Sequence, residues 1–206
     1  MRATSWRRTL STAAAATLAA SVAGCSEDPQ STSGPLPPPK SHFATTTRQV
    51  GVPFTDGFET IVIPDGVTRL RLLSVEAVGD PDLELIGWKI ADDRRRFGSI
   101  QFMPWPPRDD LLAPESIVDG PGYSVRVTPE LRESGLELLL GMRPTSTGYL
   151  ERRGLRLTYE ADGERHRVFF DAGLYVCAEP DPVPQARTSE CPDPQDVGRE
   201  PHMGPG

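Results

Sequence analysis

Leu155-Arg156-Leu157-Thr158-Tyr159-Glu160-Ala161-Asp162-Gly163-Glu164-Arg165-His166-Arg167-Val168-Phe169-Phe170 is two alternating runs around an Asp-Gly pair. Asp-Gly marks a type I′ hairpin turn, whose two central residues take positive φ, a region open to glycine. A two-residue loop fixes the register. It sets Ala161 opposite Glu164, Glu160 opposite Arg165, Tyr159 opposite His166, Leu157 opposite Val168 and Leu155 opposite Phe170. One face then carries Leu155, Leu157, Tyr159, His166, Val168 and Phe170. The other pairs Glu160 with Arg165 and Thr158 with Arg167. Turn chemistry and hydrophobic pattern agree on a β-hairpin.

Outward from this hairpin, short β-branched and leucine-rich runs recur between Gly, Pro and Asp punctuation, and no stretch keeps a 3.6-residue period. The predicted strands are 43–50, 58–63, 67–78, 83–91, 96–103, 122–128, 136–143, 154–160, 164–171 and 173–177. The fold class is all-β, an antiparallel sandwich. Leu136, Leu138, Leu140 and Met142 alternate, as do Tyr123, Val125 and Val127. In 67–78, Leu70 and Leu72 lie on one face but Leu73, Val75 and Ala77 on the other, which predicts a bulge or a strand passing between sheets. Arg69, Arg71, Arg126, Arg156 and Arg167 fill intervening positions, as a solvated face requires.

The ends have different compositions. Residues 1–24 have a basic start (Arg2, Arg7, Arg8), an apolar run from Leu10 to Val22 and a small-residue cleavage zone. That run has 13 residues, whereas a spanning helix needs about 20, so it reads as a removable signal. Arg7-Arg8 matches twin-arginine export only faintly. Residues 25–42 hold Pro29, Pro35, Pro37, Pro38 and Pro39 and predict a solvated linker, about 50 Å long if fully extended. Residues 43–178 form the folded domain, long enough for a core of its own. Residues 179–206 are a Pro-rich, irregular tail. Cys177 and Cys191, one in the last strand and one in the tail, are an even pair outside the cell and predict a disulfide clasp. With 13 residues between the cysteines, it would contribute about 3 kcal/mol on the chain-entropy model.

Val22-Ala23-Gly24-Cys25 resembles the lipobox of bacterial lipoproteins, a branched aliphatic and two small residues before a cysteine. The resemblance implies cleavage before Cys25, a diacylglyceryl group on its thiol, and an extracytoplasmic protein anchored to the cell membrane. The whole chain resembles bacterial lipoproteins of uncharacterised function that carry one immunoglobulin-like β-sandwich, although the cysteine–tryptophan–cysteine core of antibody domains is absent. Two acyl chains anchor stably without a basic patch. Cleavage takes away three arginines and no acid, moving the net charge from −7 to −10. Such a chain is repelled by nucleic acid. The excess of arginine over lysine, with abundant Ala, Pro and Gly, reads as the mark of a GC-rich genome.

Candidate chemistry is sparse. No G-x-S-x-G, H-E-x-x-H, P-loop or dinucleotide fingerprint occurs, so the reading is non-catalytic, with no cofactor. His42 falls in the linker. His166 faces Tyr159 as a cross-strand partner. Asp80, Asp82 and Glu84 read as a solvated turn leading into a strand rather than a calcium site. Asp92 to Arg96 reads as a hairpin tip. Met103-Pro104-Trp105-Pro106-Pro107 holds Trp105 between prolines, either as a lid on the end of the sandwich or as a rigid binding anchor. Tyr149 is a second candidate for the same rim. The function expected is a binding or interaction module for an envelope protein or cell-wall polymer. The alternative is copper binding by His202 and Met203 with Met103 or Met142.

Overall fold

The computed structural model describes residues 32–91, 102–107 and 117–180. Two sheets pack face to face. The first contains β1 (His42–Gln49), β3 (Arg69–Gly79), β6 (Ser124–Arg126), β8 (Gly148–Ala161), β9 (Glu164–Phe170) and β10 (Ala172–Glu179). Its order is β1-β10-β8-β3-β6, with β9 also on β8. The second contains β2 (Phe54–Ile61), β4 (Leu83–Ala91), β5 (Ile117–Asp119) and β7 (Leu136–Pro144), ordered β2-β7-β4-β5.

The predicted hairpin forms in its predicted register, from Ala161↔Glu164 to Leu155↔Phe170. Asp162 and Gly163 take φ of 51° and 95°, as a type I′ turn requires. The strands run beyond it. β10 continues along the same edge of β8 as β9, with its register displaced by one residue at the Asp171 break. The whole makes one long hairpin with a bulge. Leu155, Leu157, Tyr159 and Val168 are fully buried. The phase change in β3 is a bulge at Leu73, which lets Leu70, Leu72 and Val75 all enter the core. Leu136, Leu138, Leu140 and Met142 face them from β7.

In chain order, β2-β7-β4 against β3-β8-β9/β10 is the B-E-D against C-F-G arrangement of an immunoglobulin sandwich. Several expectations need correction. The first sheet is not wholly antiparallel, because β1 runs parallel to β10 from His42↔Ala172 to Gln49↔Glu179. β8 begins at Gly148, not 154, and β2 at Phe54, not 58. Of the predicted strand 96–103 only Phe102 and Met103 are described; they are not a strand element, although Phe102 N–H and Met103 C=O bond to the Thr55 backbone. The Asp92–Arg96 run lies outside the described residues. A short helix, α1 (Pro129–Ser134), precedes β7. Thr128 caps it by accepting from the Leu131 N–H, Pro129 opens its first turn, and buried Leu131 faces inward.

The solvated-linker expectation also fails over residues 32–36, whereas 37–41 are largely exposed. The Ser33 N–H donates to the Arg167 carbonyl (2.6 Å), while the Thr32 and Ser33 hydroxyls accept from the Phe169 and Arg167 N–H groups. Leu36 is only 2% exposed, and its N–H donates to the Tyr159 hydroxyl. That hydroxyl in turn donates to the Ser33 carbonyl. The segment covers the edge of β9 and satisfies a buried tyrosine.

Candidate functional site

Three aromatic residues line up on the outer face of the first sheet. Leu150, Leu174 and Val176 point inward, so Tyr149 on β8 and Tyr175 on β10 point outward. Their rings stack with centroids 5.6 Å apart and planes at 29°. Phe43 on β1 meets Tyr175 edge-on at 6.1 Å and is 67% exposed, the largest exposure among the big apolar side chains described. Beside the tyrosines lies a hollow of about 630 Å³ bounded by Asp80, Pro81, Glu151 and Arg153. Burial pushes the Tyr149 hydroxyl pKa up, with Tyr175 and the Glu151 carboxylate adding to it, and burial and Glu151 do the same at Tyr175. Both hydroxyls therefore keep their protons at neutral pH and remain donors. Tyr149 Oη is shielded and has no hydrogen-bond partner among the described residues. Next to Phe43 the sheet ends, and the far edge of β1 has no strand partner among the described residues.

Trp105 sits elsewhere. Its indole lies on the outer face of the second sheet over two glycines, where a Cβ on Gly141 would come within 2.4 Å of the ring and one on Gly87 within 3.2 Å. With Met103 and Ile117 it covers Leu139 and Ala91, which are nearly inaccessible. The loop is held by Thr55, whose N–H donates to the Met103 carbonyl and whose hydroxyl donates to that of Pro104. It is a lid over a sheet face rather than over the end of the sandwich. Trp105 and Tyr149 occupy opposite outer faces and share no rim.

A charge cluster that sequence reasoning missed lies between the sheets. Asp56 and Glu59 on β2 would face opposite ways in a regular strand. A bulge between them, set against Leu140 and Leu138 on β7, turns both inward. Arg152 on β8 donates to Asp56 Oδ2 (2.5 Å), to Glu59 Oε1 (3.1 Å) and to the Ala172 carbonyl (3.1 Å). All three side chains are at most 2% exposed. His42 Nε2 lies 3.5 Å from Glu59 Oε2 at the outer end. The cluster joins β2 to β8, the B and F strands that a disulfide links in antibody domains. It offers no opening to a substrate and acts as a bolt between the sheets.

Other predicted positions fall in place. The His166 ring faces Tyr159 at 5.5 Å. Asp80 Oδ1 accepts from the Asp82 N–H, and Glu84 takes a forked bond from Arg143 at the start of β4. Of the two methionines offered as alternative copper ligands, Met142 is fully buried on the inner face of β7 and Met103 packs against the outer face of the second sheet. Cys177 is buried near the end of β10. Cys25, Cys191, His202 and Met203 lie outside the described residues. No described helix is long and apolar enough to cross a membrane. Neither the protein-family models nor the curated proteins contain a match to this chain.

Proposed function

We propose that this chain is a lipid-anchored, extracytoplasmic binding module without catalytic activity, which recognises a protein of the cell envelope through the outer face of its first sheet. The row Phe43–Tyr175–Tyr149, beside the edge of β1 that has no strand partner among the described residues, carries this reading. Exposed aromatic groups next to a hollow are the features of an interaction hot spot, and a bare strand edge supplies backbone donors and acceptors. The ring geometry favours protein over polymer. Tyr149 and Tyr175 turn their faces toward each other, leaving ring edges rather than a flat platform on which a sugar ring could stack.

The anchor reading rests on Val22-Ala23-Gly24-Cys25 and the signal before it. A clasp between Cys177 and Cys191 fits the same oxidising compartment and would hold the tail beside β10. The burial of Asp56, Glu59 and Arg152 supports a structural role for the strongest charge cluster among the described residues.

The test is partner recovery by crosslinking in intact membranes of the native host. Tyr149→Ala with Tyr175→Ala is expected to abolish recovery while melting stays close to the parent, and Trp105→Ala to leave it intact. Recovery unchanged in the tyrosine double variant counts against the binding face. Palmitate labelling that survives Cys25→Ser counts against the anchor.

A further inference from the structure

At the far end of β8 from the aromatic row, the same sheet face carries a second hollow, of about 810 Å³. β3 and β6 pair there so that Arg69 stands directly opposite Arg126, and Arg71 opposite Ser124. All four residues are exposed. Like charges set directly across a strand pair repel each other, and here they do so in a chain of net charge −7. Other arginines of this face have a carboxylate at hand: Arg156 meets Glu76 at 2.5 Å and Arg71 meets Glu160 at 3.5 Å. Asp162 lines the hollow and feels the Arg69 charge, but its oxygens are committed to the Thr68 N–H, the Thr68 hydroxyl and the Arg69 N–H. Arg69 and Arg126 thus stand side by side in the wall of a hollow whose volume suits a small ligand, where Glu160 is paired with Arg71 and Asp162 is held by Thr68.

We propose that this hollow binds a phosphate group, held between the Arg69 and Arg126 guanidiniums with the Ser124 hydroxyl as a further donor. A guanidinium presents a planar fork of N–H groups that matches two phosphate oxygens. Two forks from opposite sides satisfy a tetrahedral oxyanion and replace repulsion by shared attraction. The hollow exceeds the volume of phosphate alone and leaves room for a larger molecule that carries the group. Either a soluble phosphate ester or a phospholipid headgroup supplies that chemistry. The site is independent of the aromatic row and of the anchor.

The experiment uses the chain from residue 25 onward carrying Cys25→Ser, so that neither the signal segment nor an acyl chain drives membrane association. Melting is followed in inorganic phosphate against sodium chloride of equal ionic strength. Sedimentation is measured with phosphatidylglycerol against phosphatidylcholine vesicles. Phosphate is expected to raise the melting temperature of this chain, Arg126→Ala to weaken the apparent affinity about tenfold, and Arg69→Ala with Arg126→Ala to remove the response. Without phosphate the double variant is expected to melt no lower than its parent, since a repulsion has been relieved. Phosphatidylglycerol-dependent sedimentation lost in the same variants identifies a lipid headgroup as the source. Phosphate protection without sedimentation identifies a soluble ester. A parent that responds to neither probe, or a double variant that keeps the parent's response, overturns the site.

Discussion

Arg152 of β8 reaches across the sandwich to Asp56 of β2, with its Nη1 2.5 Å from Asp56 Oδ2 and both side chains almost wholly buried. An ion buried this deeply is costly to leave alone. Its desolvation is offset only while the partner and the accompanying hydrogen bonds are present. Arg152→Ala would leave Asp56 and Glu59 beside each other without their main counter-charge. It is expected to cost about 3–5 kcal/mol, read from urea unfolding. Replacing Arg152, Asp56 and Glu59 together by Met, Leu and Leu is expected to recover most of that loss, because the charges leave with their partners. If the single and triple replacements were equally damaging, packing rather than charge would hold this part of the core.

The same cluster makes stability depend on pH. Burial pushes the Glu59 carboxyl pKa up; Arg152 opposes the shift, Asp56 adds to it and His42 opposes it. The fold therefore holds that proton more tightly than the unfolded chain does. The contribution is fully present below the unfolded value of about 4.3 and is lost as pH rises through the folded value. Glu59→Gln cannot ionise. Its melting temperature relative to the parent is expected to climb as pH rises above about 4.3 and through the raised folded value. A constant difference over that range would exclude Glu59 as the source.

What the sequence revealed follows the range of the interactions. The Asp162-Gly163 hairpin is set by neighbours and is readable residue by residue, and the phase change in β3 is readable as either a bulge or a sheet crossing, of which the bulge forms. The α1 start was also present, in the cap, proline and acid of Thr128-Pro129-Glu130, but its brevity hid it among turn residues. Asp56 and Glu59 were opaque for a different reason. Period-two reading puts them on opposite faces, and their partner Arg152 lies more than ninety residues away. The parallel pairing of β1 with β10 is equally long-range. Tyr149 reads in the sequence as an aromatic residue near a turn, but its stacking partner Tyr175 reaches it only through the pairing of β8 with β10, and Phe43 joins them through that of β1 with β10.

The Trp105 lid yields a test of packing. The indole lies where any side chain at 141 would stand, so Gly141→Ala must displace it. Displacement uncovers Leu139 and Ala91 on the outer face of the second sheet. Trp105 is half-buried, and Trp105→Ala is expected to cost about 2 kcal/mol, below the range for a fully buried tryptophan. Gly141→Ala is expected to approach that loss and to shift Trp105 emission to the red, read in a chain with Trp6 and Trp88 replaced by Phe and compared with that background. Emission unchanged by Gly141→Ala would mean that the loop does not rest on the glycine.

The docked segment 32–36 changes where the folded unit begins. Composition alone starts it at 43, since a single leucine among prolines reads as solvated. Leu36 is nonetheless in the core, and its N–H and the Ser33 carbonyl are the two partners of the Tyr159 hydroxyl. Removing the segment strips a buried leucine, leaves a tyrosine hydroxyl unbonded in an apolar setting and bares the β9 edge. A chain spanning 43–180 is expected to be less stable than one spanning 32–180 by about 3 kcal/mol or more, the loss for a buried leucine plus that for an unsatisfied hydroxyl. Leu36→Ala in the longer chain should account for most of the difference, and Tyr159→Phe should damage the longer chain more than the shorter. Equal stability of the two chains would return residues 32–41 to the role of a spacer. If the docking holds and Cys25 carries the lipid, only the residues from 26 to 31 are left as a leash. At about 3.5 Å each, they keep the domain within roughly 25 Å of the anchor, half the reach that composition suggests.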